Sequence, residues 1–166
     1  MQNESFAIWM SVAGLVVVLD QLTKLAILKW VPLYSRIPVN SFLNITHQEN
    51  RGAAFSFLAD QSGWQRWFFS ALAIAVSVYL VKWLWTLRME GHRVLSAGLA
   101  LVLGGALGNV IDRMRLGHVI DFIDAHWYNG PHYPTFNVAD SAITCGVILL
   151  LIDTLIQARQ ERKDRN

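Results

Sequence analysis

The chain has 166 residues, 54% of them hydrophobic and 16% charged, with a formal net charge of +2. Soluble domains carry about a quarter charged residues, so this balance points to lipid as the solvent. The small charge, with no basic cluster interleaved with aromatics, excludes a nucleic-acid partner, and the lone Cys145 excludes an intramolecular disulfide or a paired-cysteine metal motif.

The first apolar segment, Phe6 to Leu28, carries Asp20 and Lys24 in its second half. It lacks a basic leader and a small-residue cleavage site, so it reads as a retained membrane helix and not a removable signal peptide. Asp20 and Lys24 stand four apart, acid first, the favourable order for a pair on one helical face. They are either a structural ion pair or part of a site, because ionisable groups at such depth face the protein interior or a wet cavity. The stretch Pro32 to Gly63 follows. In it "SFLNITHQ" predicts a strand, and "NRGAAFSFL" places Gly52 and two alanines where backbone or substrate approaches closely.

Trp67 to Trp85 is the second apolar segment and Val94 to Ile111, free of charge, is the third. In "GGALGNVIDR" the glycines and Ala106 suit close helix packing, while Asn109, Asp112 and Arg113 fall three and four apart and share a face, as a packing motif with a polar clasp would. Gly117 to Asn137 is punctuated by Asn129-Gly130-Pro131 and Pro134, which mark turns. Val138 to Ile156 is the fourth apolar segment. Cys145 within it reads as an inert buried thiol, and Asp153, near its far end, as solvated or snorkelling. Each segment is 18 to 23 residues long, and about 20 residues span a bilayer core. Seven Trp fit rings seated at the membrane interfaces.

The expected architecture is a single domain over residues 1–166 of the membrane all-α class. Four transmembrane helices, at about 6–28, 67–85, 94–111 and 138–156, form a bundle under a small β-containing extracytoplasmic cap made from about 32–63 and 117–137. Lys82, Arg88 and Arg93, with Arg159, Arg162, Lys163 and Arg165 in the tail, place that loop and both termini in the cytoplasm. Lys29, Arg36, Arg51 and Arg66 lie on the other side and dilute the bias. Asp112, roughly 27 Å up the third helix, then joins Asp20, Asp121, Asp124 and Asp140 in one layer near the outer interface.

"VIDFIDAHWYNGPHYPTFNVAD", Val119 to Asp140, holds three of these acids among apolar residues. Two carboxylates brought together in a poorly solvated site cannot easily both ionise, and the split supplies a base to activate water and an acid to protonate a leaving amine. Asp140 sits where helix amide dipoles favour its anion, and Asp121, flanked by apolar residues, has reason to hold the proton. Against this, an aspartate at a helix start is most often a cap or a dipole partner, with Asn137 itself a possible cap, and Asp124 reads equally as a loop residue facing water. His118, His126 and His132 have no diagnostic ligand spacing and read as surface or interface residues.

"NRGAAFSF", "GGALGNVIDR", "VIDFID" and "FNVADSAI", in this order and spacing, resemble the lipoprotein signal peptidases of bacteria, or signal peptidase II, from Asp20 through Asp140. The resemblance implies an aspartic endopeptidase of the inner membrane, with no cofactor or metal. Its substrates are prolipoproteins carrying S-diacylglyceryl cysteine, cut just before that cysteine to release the signal peptide within membrane lipid. The catalytic aspartates of the family match Asp121 and Asp140. Its site-lining residues match Asp20, Lys24, Asn50, Gly52, Asn109, Asp112, Arg113, Asn137 and Ala139. Residues Ala125 to Pro134 match no motif of the family, and Asp124 reads as supporting or structural. Globomycin, which occupies this site in the family, is an implied inhibitor. The cap over Asn50 to Phe55 would hold the peptide near the dyad, and a monomer suffices for the chemistry. Three rivals make different predictions. A proton-coupled channel needs acids at several depths. A structural assembly factor would tolerate Asp140→Asn. A serine–lysine peptidase needs Lys24 free to act as base.

Overall fold

The computed structural model describes residues 2–52, 64–87, 92–128 and 130–165. Four helices account for most of them: α1 (Gln2–Trp30), α2 (Trp64–Leu87), α3 (Arg93–Leu116) and α4 (Val138–Asp164). All four are long and apolar enough to cross a membrane, at roughly 1.5 Å per residue against a hydrocarbon core of about 30 Å. Each runs past its expected bounds, α4 by a further eight residues into the charged tail. Apolar periodicity marks the lipid-crossing part of a helix and not the polar turns that continue it.

The third helix is the centre of the bundle. In its most apolar window 61% of residues are buried inside the protein, against 17% for α1 and 22% each for α2 and α4. Leu15, Val18, Leu19, Leu22, Leu25 and Leu28 of α1 are instead exposed, an apolar surface that only lipid would tolerate on this scale. One core cluster, built on Ala13, Leu80, Leu84, Leu87, Leu99 and Leu103, locks α1, α2 and α3 together. The glycines of "GGALG" let α3 come close to its neighbours. A Cβ on Gly105 would strike the Ala139 carbonyl of α4, and one on Gly108 would sit 2.6 Å from the Asp20 carboxylate of α1. Ala106, between them, is half-buried.

The cap is a three-stranded antiparallel sheet in the order β1 (Arg36–Asn40), β2 (Leu43–Asn50), β3 (Val119–Ala125). The strand expected in "SFLNITHQ" is β2, shifted toward Asn50. β3 was not foreseen. Its residues are buried along nearly the whole length, so it lacks the polar–apolar alternation that reveals a half-exposed strand. Ile120 and Phe122 pack with Ile27 and Val31 at the end of α1, which seats the sheet on the bundle. A register irregularity between Ile45 and Gln48 separates the Asn44–Asp124 pairing from the Gln48–Asp121 pairing.

Two readings of α4 are corrected. Asp153 is buried, not solvated, and accepts a hydrogen bond from Gln157 Nε2 at 2.6 Å. It follows Ala139, Ala142 and Gly146 on the face that α4 turns to the interior, a face its position near the helix end did not reveal. Cys145 is exposed, not buried. It lies one residue, about 100° of helix rotation, off the stripe containing Gly146, and the apolar surroundings it prefers are outside the bundle.

Candidate active site

The polar layer is built from both ends of the chain. Lys24 Nζ of α1 pairs with Asp20 Oδ2 and with Asp112 Oδ2 of α3, both at 2.8 Å, and donates to Asn109 Oδ1 at 3.0 Å. Its three ammonium hydrogens thus have three acceptors, so it has no free valence to act as a base. Ser141 and Thr144, the hydroxyls nearest Asp140 in sequence, are tied to the Asn137 and Asp140 carbonyls at 2.9 Å each. Among the described residues neither hydroxyl beside Asp140 is thus paired with Lys24.

The two acids of this ion cluster also hold the backbone. Asp20 Oδ1 accepts the Ala139 N–H at 2.9 Å, and Asp112 Oδ2 accepts the Ile120 N–H at 3.2 Å. Each bond grips the residue immediately before a candidate catalytic aspartate. Gln21, which the sequence reading passed over, spans the pair: its Nε2 donates to Asp112 Oδ1 at 2.9 Å and Asp20 Oδ2 at 3.3 Å. Its main partner is 91 residues away, so no local pattern could have exposed it.

Asp121 of β3 and Asp140 of α4 meet across Asn137. Asn137 is the N-cap of α4 and forms a capping box with Asp140: its Oδ1 accepts the Asp140 N–H at 2.9 Å, and the Asp140 carboxylate accepts the Asn137 N–H at 3.2 Å. The same side chain donates through Nδ2 to Asp121 Oδ1 at 2.7 Å. Asn109 donates to Asp140 Oδ1 at 2.8 Å, and Asn50 donates to Asp121 Oδ2 at 2.9 Å. The far oxygen of each amide faces a group that only donates: Lys24 for Asn109, the Asp140 N–H for Asn137, and the Gly52 N–H, at 3.0 Å, for Asn50. Each amide is therefore forced to turn its NH₂ toward the carboxylates.

Asp121 is 2% exposed. Burial, then the neighbouring Asp140 carboxylate, push its pKa up to about 7 against the hydrogen bonds of Asn50 and Asn137 and the Lys24 charge. Arg113 reaches the Gly52 carbonyl through Nη2 at 3.1 Å and lies over the Phe69 ring at 5.8 Å, holding the end of β2 beside the site. The alanines and phenylalanine that follow, residues 53–55, lie outside the described residues, and they are half of the segment expected to hold the peptide.

Both aspartates open on one cleft of about 440 Å³. Asn50 lines it on one side, Tyr133, Pro134, Thr135 and Phe136 on another, and Ile143 and Cys145 continue along α4. A polar end against an apolar trough suits a ligand that brings one reactive polar bond and much hydrocarbon. Among the described residues no group of three or more His, Cys, Asp or Glu side chains could hold a metal ion. His132 and His126 lie instead on the far side of β3, near Asp124, and His118 faces Glu49 at 3.6 Å.

The sequence matches the family described as Signal peptidase (SPase) II over residues 12–156. It is 49% identical over 153 residues to a lipoprotein signal peptidase of Ralstonia nicotianae, covering 92% of this chain and 86% of that one. A lipoprotein signal peptidase of Acinetobacter baumannii is 51% identical over 158 residues, covering 95% and 88%. A solved structure described as a bacterial membrane enzyme superposes with a TM-score of 0.79 at 35% identity, covering 92% of this chain and 90% of that one.

Proposed function

The chain belongs to the signal peptidase II family, and on that premise we propose that it is an aspartic endopeptidase whose Asp121–Asp140 dyad removes the signal peptide from prolipoproteins. The observation that carries this reading is the Asn137 side chain, which binds Asp121 through one end and the Asp140 N–H through the other, where both carboxylates open on one cleft. A buried acid and a partly buried one, bridged by a single amide side chain, share one proton in the resting state, and Asp121, raised to about 7, is placed to carry it.

The reaction then runs as in other carboxylate pairs. Asp140, ionised, takes a proton from water, and the hydroxide attacks the carbonyl carbon of the residue before the lipidated cysteine. Asp121 gives its proton to the carbonyl oxygen. As the tetrahedral intermediate collapses, the amine nitrogen of the cysteine takes a proton from Asp140, the C–N bond breaks and a hydroxyl proton returns to Asp121. The signal peptide leaves with a new carboxyl terminus, and the cysteine with a free amine. No cofactor is required. Lys24, Asp20 and Asp112 support the site by holding Ile120 and Ala139, while Asn50, Asn109, Asn137, Arg113 and Gly52 orient the acids and the adjoining backbone.

The substrate class is the prolipoprotein bearing S-diacylglyceryl cysteine. Its acyl chains fit the apolar trough formed with Ile143 and Cys145, open to lipid along α4. Arg93 and the basic tail favour cytoplasmic termini, which puts the cleft near the periplasmic face of the inner membrane. A monomer supplies every side chain of the site, and globomycin is the expected inhibitor. The deciding experiment follows signal-peptide release from a diacylglyceryl-modified precursor by purified wild type, Asp121→Asn and Asp140→Asn, each first shown to be folded. Cleavage lost in both variants is the expected result; cleavage retained in either removes that residue from the chemistry.

A further inference from the structure

Asp124 and His132 stand outside the dyad's hydrogen bonds and have no part in the chemistry above. Asp124 is three residues from Asp121 along β3, so its side chain leaves the strand on the opposite face. It is 1% exposed, and its oxygens are engaged from three other segments. Oδ2 accepts from Asn44 Nδ2 of β2 at 2.9 Å and faces Arg36 Nε of β1 at 3.4 Å. Oδ1 meets His132 Nδ1 at 2.6 Å. A carboxylate only accepts, so His132 Nδ1 carries the hydrogen and its ring orientation is set. That ring stacks on His126, with centroids 4.9 Å apart.

The residues after His132 form a wall of the cleft. They run beside β3, bridged to it at His126–His132 and Ile123–Phe136. The Tyr133 N–H donates to the Ala125 carbonyl at 2.7 Å and the Phe136 N–H to the Ile123 carbonyl at 3.1 Å. Between them Pro134 has no N–H to offer. Tyr133, Pro134, Thr135 and Phe136 all line the cleft, and the next residue, Asn137, belongs to the dyad's own network. One end of the wall is thus held by the catalytic acids and the other by Asp124.

We infer that Asp124 and His132 are positioning residues for substrate: the hydrogen bond from His132 Nδ1 to Asp124 holds the Tyr133–Phe136 wall at its distance from the dyad, and so governs substrate affinity and not the chemical step. This rests on the peptidase reading above. It also explains why a second acid follows Asp121 on a strand whose chemistry needs only one.

The test compares two isosteric replacements in the full-length protein. His132→Asn places an amide nitrogen where Nδ1 lies, and His132→Gln places it where Nε2 lies. The side chain is 36% exposed; His132→Gln takes one donor from the buried Asp124 carboxylate and is expected to lose stability that His132→Asn keeps, so both are first shown to be folded and are assayed well below their thermal midpoints. With the diacylglyceryl-modified precursor, KM rises about tenfold in His132→Gln while kcat stays within about twofold. His132→Asn restores KM to within about twofold of wild type. Equal KM in all three proteins, an equal rise in both variants, or a fall in kcat at unchanged KM each overturns the inference. Precursor binding is also measured in the Asp140→Asn background, with and without His132→Gln, where the same tenfold weakening is expected and its absence counts against the wall. Cleavage by Asp140→Asn itself would defeat the peptidase dyad while leaving that binding comparison readable.

Discussion

Asp121 and Asp124 share one strand, three residues apart, and both are almost wholly buried, at 2% and 1% exposure. On one face Asp121 looks toward another acid, and its pKa rises to about 7. On the other, Asp124 is also driven upward by burial, but hydrogen bonds from Asn44 and His132 and the nearby Arg36 charge more than offset that, leaving it below the ordinary carboxyl value. Burial alone therefore does not make a carboxyl reactive. The partner decides: a cation or a donor turns a buried acid into a tie, and a second acid turns it into a proton carrier.

The largest way to break this contrast is to neutralise one member of the dyad. Asp121→Asn and Asp140→Asn should each lower signal-peptide release at least about 10³-fold, since each removes an acid–base function; peptide release from a lipidated precursor is the measurement. Next in size is Lys24→Met. It leaves Asp20 and Asp112 buried without their cation, at 0% and 3% exposure, and should cost about 3–5 kcal/mol of stability, read as a lower thermal midpoint in detergent.

Smaller again is Asp124→Asn, which places an NH₂ among three donors. A loss of roughly 1.5–3 kcal/mol is expected, with KM for the precursor raised and the pH profile of kcat unmoved. That profile is itself a prediction: in wild type, activity falls above about pH 7 as Asp121 loses its proton, and falls again in acid as the dyad's second proton is taken up. A profile lacking the acid limb would count against a shared proton.

The most delicate comparison uses pH and stability, where the two aspartates carry opposite signs. Asp121 has its pKa raised by folding, so its contribution is fully present below about pH 4 and is lost as pH rises through about 7. Asp124 has its pKa lowered, so its contribution is present above about pH 4 and is lost as pH falls through its folded value. Thermal midpoints across this range should therefore flatten between pH 4 and 7 in Asp121→Asn, and flatten below pH 4 in Asp124→Asn. Identical profiles for the two variants would mean that their environments do not differ as described.

The four spans were legible because lipid demands long apolar runs, and β2 because one of its faces alternates with the other. β3 was hidden because it is buried on both faces. Asp153 and Cys145 were misread for a related reason: a membrane helix is apolar all round, so its sequence does not say which stripe faces protein and which faces lipid. The motifs around Asp121 and Asp140 marked the acids, but Gln21 and Asn44 find their partners 91 and 80 residues away, and His132 reaches Asp124 only because the chain turns back beside β3.

By itself the sequence determined composition, span count, family and the two acids to suspect, since these depend on which residues are present and in what order. Only the tertiary structure decided what each acid faces. A carboxyl's behaviour is set by charges and donors within a few ångströms, and here those come from α1, α3, β2 and the residues before α4, brought together by packing that no single segment encodes.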